Sequence, residues 1–202
     1  MLEPTGFEIV EAATGRPLYP SKWSELSTMT ISYGHGLSTS PMHLAAGYAA
    51  IANGGYKVKP SILKATGYEK GPRVFSERSS RAARQMLRDV VTEGTASFGE
   101  VAGYAVAGKT GTADKPRAAG GGYYEDKVIA TFASIFPADD PKYVLIVTLD
   151  EPVDTTGDEP RRTAGWTAVP VAAEMIRRVA PLLGLRPAVE PAALEGIKLT
   201  SN

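Results

Sequence analysis

Lys109 and Thr110 close the stretch Gly103-Tyr-Ala-Val-Ala-Gly-Lys-Thr110, which has the spacing of a P-loop: Gly, four residues, Gly, Lys, then Ser or Thr. In that chemistry, backbone N–H groups and the lysine cradle a nucleotide phosphate. The pattern needs a buried apolar strand ending at the first glycine and a helix starting at the lysine. Here Thr95-Ala-Ser-Phe-Gly-Glu-Val-Ala102 precedes Gly103 and makes a poor buried strand. Gly111, Pro116 and Gly120 to Gly122 follow Thr110 and deny a helix of useful length. The supposed loop also contains Ala105-Val106-Ala107, which reads as strand. A lysine on a strand remains: either a plain exposed one, or a working member of the continuing run Lys109-Thr110-Gly111-Thr112.

Other chemistry-bearing residues offer less. His35 lies in a glycine-flanked turn and His43 in the first turn of an expected helix, and neither has an acidic or cysteine partner at ligand spacing. Asp139-Asp140 and Asp158-Glu159 lack the alternating oxygen ligands of a calcium loop and read as solvated turns. Cysteine is absent, which removes disulfides and thiol nucleophiles and leaves little for structural zinc. No cofactor is expected.

The 202 residues suit one domain or a large piece of one, with 43% hydrophobic and 22% charged residues. Lys plus Arg balances Asp plus Glu at 22 each, so no basic excess points to nucleic acid. The strongest apolar runs are too short to span a bilayer, and Met1-Leu2-Glu3-Pro4 lacks the basic and apolar regions of a secretory signal.

The elements that must position Lys109 follow from spacing and punctuation. Residues 1 to 39 are broken by Pro and Gly and read as irregular. Ser40 as N-cap with Pro41 after it starts a helix carrying Leu44, Ala45, Tyr48, Ile51 and Ala52, ended by Gly54. Residues 56 to 75 look extended. A second helix runs from about Ser76 to Glu93, with Ala82/Ala83, Met86/Leu87 and Val90/Val91 as its core stripe and Arg81, Arg84 and Arg88 as its solvated face. Three strands follow: Tyr104 to Thr112, then Val128 to Phe136 and Tyr143 to Leu149. Only Pro137 to Lys142 separates the last two, too short for a parallel crossover, so they form an antiparallel hairpin. Ala118 to Gly122 is expected to be a mobile loop. A last helix, Thr167 to Leu183, carries Val171, Met175, Val179 and Leu182. The fold class is α+β: about three antiparallel strands with helices on both faces, over residues 1–184, and a frayed tail over 185–202.

From Met29 to Pro152 the chain resembles class B penicillin-binding proteins, the cell-division transpeptidases of the FtsI type in particular. The matching stretches are Thr30-Ile-Ser-Tyr-Gly-His-Gly-Leu-Ser38, Ala45 to Gly55, Val90-Val-Thr-Glu-Gly-Thr-Ala96, Val106-Ala-Gly-Lys-Thr-Gly-Thr-Ala113 and Ala138-Asp-Asp-Pro141. Met1 to Trp23 resembles the loop region before them. The resemblance implies that Lys109-Thr110-Gly111 is the Lys-Thr-Gly triad of that family, on a strand at the edge of a cleft. Lys109 and Thr110 would bind a substrate carboxylate. Gly111 would let the substrate backbone come close, and the Thr112 N–H would complete an oxyanion hole.

The same family uses a nucleophile in Ser-x-x-Lys and a second Ser-x-Asn. Only Ser61-Ile-Leu-Lys64 meets the first pattern, and it follows Pro60 in an extended segment where a helix N-terminus is required. Ser-x-Asn is absent, since Ile51 and Thr200 stand two residues before the two asparagines, Asn53 and Asn202. The resemblance therefore implies the C-terminal part of a penicillin-binding transpeptidase domain, with the upstream part of that domain as its first partner and no nucleophile of its own. The whole protein would be a membrane-anchored enzyme of the division machinery at the periplasmic face of the inner membrane, taking peptidoglycan stem peptides and β-lactams. Self-association through exposed apolar surface is expected of this piece. The rival readings are a non-catalytic module that keeps the groove and, more remotely, a P-loop nucleotide binder.

Overall fold

The computed structural model describes residues 8–9, 19–64, 67 and 70–188. The chain divides into two compact units, Met1–Ala82 and Ala83–Asn202.

In the first unit, helix α1 spans Glu25–Ser32 within the stretch expected to be irregular. Its Ser, Thr and Ile content is poor for helix interiors. A reciprocal Ser24/Ser27 capping box holds its N-terminus, and none of its residues is buried. Helix α2, Pro41–Ala52, starts as expected: the Ser40 side chain accepts from the His43 N–H, and Pro41 stands at its first position. His43 Nδ1 lies 2.7 Å from Ser40 Oγ, a capping arrangement. Beyond α2 the chain reverses at Gly54 and Gly55, both at positive φ. A Cβ on Gly55 would lie 2.1 Å from the Phe75 carbonyl, so only glycine fits that crossing. The described residues between 56 and 75 form no strand, and among them there is an isolated bridge between Tyr56 and Arg73. The Arg73 guanidinium donates to Tyr56 Oη at 2.6 Å and lies over the same ring.

Helix α3, Glu77–Thr92, crosses the boundary between the units. Its buried positions include Ser80, which donates to the Ile51 carbonyl at 2.5 Å, and Val91. The expected stripe holds only in part: Met86 is 62% exposed and Ala82 is exposed. The expected solvated arginine face is corrected as well, because Arg84 and Arg88 are half-buried.

The second unit is built on a three-stranded antiparallel sheet in the order β1-β2-β3. Strand β1 is Ala107–Pro116, β2 is Tyr123–Phe136 and β3 is Tyr143–Asp150. Strand β1 starts later than expected because Tyr104 is tied into a turn with Val101. Helix α4, Ala168–Leu182, packs on β2 and β3. Its buried face is Ala168, Val169, Ala172, Ile176 and Ala180, set against a core that includes Phe132 and Val147. The stripe read from sequence is the outer face: Val171, Met175 and Leu182 are exposed. Alanines at the contact let helix and sheet approach closely, and aliphatic size alone pointed to the wrong side. Both faces of β2 are buried, with Phe132 on one and Ala133 and Ile135 on the other, as an apolar run without alternation requires.

After α4, Gly184 at φ +77 turns the chain back. Leu185 packs against the core, and the Ala188 N–H donates to the Gly103 carbonyl at 2.8 Å. The first four residues of the expected frayed tail are thus tied to the segment leading into β1. Residues 189–202 lie outside the described ones.

Candidate functional site

Among the described residues strand β1 is an edge: β2 covers one side and no strand covers the other. Residues 109 to 116 are extended, so no helix begins at Lys109, and the phosphate-cradle reading falls with its geometry. Gly108 explains how tightly the strand is seated. A Cβ there would lie 2.6 Å from Phe132 Cζ and 2.7 Å from the Ala133 carbonyl. The start of β1 is also held from α3. Arg88 donates to the buried Val106 carbonyl at 2.7 Å and forms a two-point ion pair with Glu100.

Alternation along the strand puts Thr110 and Thr112 on one face and Lys109 and Gly111 on the other. The long stem of Lys109 overcomes that separation. Its ammonium donates to the Thr110 carbonyl at 2.9 Å and to Thr110 Oγ1 at 3.3 Å. Thr110 Oγ1 also lies 2.8 Å from Thr95 Oγ1, and Thr112 Oγ1 accepts from the Ala164 N–H at 3.0 Å. Gly111 contrasts with Gly108: a Cβ there would meet nothing within 4 Å, and its φ is not positive. No packing within the described residues requires glycine at 111.

Thr110 and Thr112 line an open cleft of about 440 Å³, whose other walls include Thr95, Phe98, Gly165 and Trp166. The Phe98 and Trp166 rings lie 5.0 Å apart, and the Arg161 guanidinium sits 3.7 Å from the Trp166 ring centre. An ammonium and a hydroxyl converging on a strand edge, with free space beside the next residue, have the chemistry to hold a carboxylate.

Among the four residues singled out from sequence, the structure brings Lys109 and Thr110 together, places Thr112 in the same cleft wall and leaves Gly111 open beside them. Thr95, Phe98 and Trp166 were not singled out. Thr95 stood inside the matching stretch Val90 to Ala96, and Trp166 is one of only two tryptophans, but neither carries a spacing rule that ties it to β1. Ser61, in the first unit, has its hydroxyl engaged by Leu63 and Glu8. It accepts from the Leu63 N–H at 3.1 Å and donates to Glu8, whose carboxyl it holds below the usual range. Among the described residues, no three His, Asp or Glu side chains gather to hold a metal, and no helix is long and apolar enough to cross a membrane.

The family model described as penicillin binding protein transpeptidase domain matches residues 3–176. The chain is 34% identical over 196 residues to the "Probable peptidoglycan D,D-transpeptidase FtsI" of Caulobacter vibrioides, covering 92% of this chain and 33% of that protein. It is 36% identical over 174 residues to penicillin-binding protein PbpB of Mycolicibacterium smegmatis, covering 78% of this chain and 27% of that one. Among solved structures, the apo transpeptidase domain of Burkholderia pseudomallei penicillin-binding protein 3 superposes with a TM-score of 0.78 at 35% identity, over 92% of this chain and 55% of that one. Penicillin binding protein 3 of Mycobacterium tuberculosis complexed with ampicillin gives a TM-score of 0.75 at 30% identity, over 94% of this chain and 45% of that one. The chain thus spans about a third of the curated relatives' length and about half of the solved chains.

Proposed function

The chain belongs to the penicillin binding protein transpeptidase domain family, and from that premise we propose that it forms the carboxylate-reading wall of a peptidoglycan D,D-transpeptidase. The observation that carries this reading is the convergence of the Lys109 ammonium on Thr110 Oγ1 at a free strand edge, next to a glycine that nothing in the described structure requires. Lys109 and Thr110 take the terminal carboxylate of a D-Ala-D-Ala stem peptide, or the carboxylate of a β-lactam. Gly111 admits the substrate backbone, and the Thr112 N–H faces the oxyanion. A serine outside these residues attacks the penultimate carbonyl. The C–N bond breaks, the hydroxyl proton ends on the departing D-alanine amine, and an acyl-enzyme remains. An amine of a neighbouring stem peptide then takes the acyl group and returns a proton to the serine. The enzyme is the whole membrane-anchored protein, at the periplasmic face and within the division machinery, whereas this chain alone lacks the nucleophile.

Intact-protein mass spectrometry tests both halves of the reading. The 202-residue chain incubated with a penicillin gains no covalent mass, while the longer protein that carries it gains one acyl equivalent. Lys109→Ala in the longer protein slows acylation by at least about tenfold, the scale of one charged hydrogen bond. A stoichiometric adduct on Ser61 of the short chain overturns the assignment of the nucleophile. Unchanged acylation in Lys109→Ala overturns the role of the strand.

A further inference from the structure

Thr110 carries one hydroxyl hydrogen and two acceptor sites, and a carboxylate can be bound only through the hydrogen. The Lys109 ammonium has no acceptor capacity, so its 3.3 Å contact occupies one acceptor site on Thr110 Oγ1. The 2.8 Å contact with Thr95 Oγ1 permits either direction. If Thr110 donated to Thr95, its only hydrogen would be spent inside the protein. If Thr95 donates, both acceptor sites of Thr110 are filled and its hydrogen is left for a ligand in the cleft that Thr110 lines. We propose that Thr95 is a positioning residue for carboxylate recognition, donating its hydroxyl to Thr110 so that the Thr110 O–H points at the ligand. This rests on the transpeptidase reading of the same strand.

The local fold holds Thr95 in place for that task. It follows Gly94, where a Cβ would lie 2.9 Å from Val90 Cα, and precedes Ala96, which is fully buried and donates to the Val90 carbonyl at 3.1 Å. On its other side, the Thr95 carbonyl would stand 2.7 Å from a Cβ at Gly165. The end of α3 and the turn before α4 therefore fix the backbone from which Thr95 reaches β1. The β-branched side chain restricts its own rotation further.

The test measures acylation of the longer protein by benzylpenicillin and by its methyl ester, which keeps the reactive ring but not the carboxylate. Thr95→Val, close in shape and lacking the hydroxyl, lowers the benzylpenicillin rate about tenfold, the size of one hydrogen bond, and leaves the ester rate unchanged. Thr95→Ser restores the acid-over-ester preference, and thermal midpoints of the three proteins agree. An unchanged preference in Thr95→Val overturns the inference, as does an equal fall for acid and ester, which marks a merely structural role. Thr110→Val separates the two levels of the argument. If it abolishes the preference while Thr95→Val does not, only the role of Thr95 falls. If Thr110→Val itself leaves the preference intact, the carboxylate-reading strand falls and this inference with it.

Discussion

Gly108 and Gly111 are three residues apart on one strand and answer to different demands. A Cβ at 108 would meet Phe132 and Ala133 at distances real side chains do not reach, so Gly108 belongs to the seating of β1 on β2. A Cβ at 111 would meet open space. Gly108→Ala is expected to destabilise the fold by about 1–3 kcal/mol, the range for overpacking, measured as a shift of the urea midpoint. Gly111→Ala is expected to leave that midpoint unmoved or slightly raised, and to weaken β-lactam acylation of the longer protein. A large loss of stability at 111 would return this glycine to a structural role. Sequence alone shows both glycines and cannot separate them, because the difference lies in what stands opposite each one.

At the scale of the element, β1 is a working edge because two other segments hold it. Arg88 reaches from α3 to the Val106 carbonyl and pairs with Glu100. Arg88→Ala leaves that buried carbonyl unpartnered, with an expected cost of about 1–3 kcal/mol and faster amide exchange at the start of β1. Unchanged exchange there would remove Arg88 from the support of the strand. The far end of β1 is held by charge: Lys115 bonds Asp150 and Glu151, and Lys127 bonds Glu151. The hydrogen bond from Lys115, with that from Lys127, holds the Glu151 carboxyl below its ordinary value of 4.5, so its contribution is lost as pH falls through the lowered value. The hydrogen bond to Asp150, with that to Glu151, holds the Lys115 amine above 10.5, so its contribution is lost as pH rises through the raised value. The network is whole between those limits. Glu151→Gln should flatten both the acid and the alkaline arms of the stability profile, by small amounts that salt reduces further. Profiles identical to the unsubstituted chain would show that these pairs add nothing. A pattern of charges far apart in sequence, at 115, 127 and 150–151, announces none of this until the strands bring them to one end of the sheet.

Considered whole, the molecule carries apolar surface that its own fold does not use. Val171, Met175 and Leu182 share the outer face of α4, with Leu182 85% exposed. In the other unit Leu26 and Met29 of α1 are also exposed. Together with the free edge of β1, such surface favours association. Sedimentation of the chain is expected to show concentration-dependent association that Met175→Gln with Leu182→Gln reduces, while the thermal midpoint stays close to the original, as for other surface changes. A clean monomer at high concentration would refute this. What the sequence determined by itself was whatever depends on near neighbours. The Ser40–Pro41 helix start, the hairpin of two apolar runs and the extended strand through Lys109 follow from local spacing, the family from the resemblance of the stretches from Thr30 to Pro141, and the structure and the family match agree with them. Helix α1 had a local signal, the Ser24/Ser27 pair three residues apart, that the reading of residues 1 to 39 as irregular passed over. The buried face of α4 and the partners of Arg88 were decided only in three dimensions. Close approach through alanines and the burial of a guanidinium depend on what packs opposite, and no window along the chain contains that partner. The cleft has the same origin: Thr95, Thr110 and Trp166 meet because β1 lies beside the end of α3 and the start of α4, a proximity set by the packing of the core beneath them.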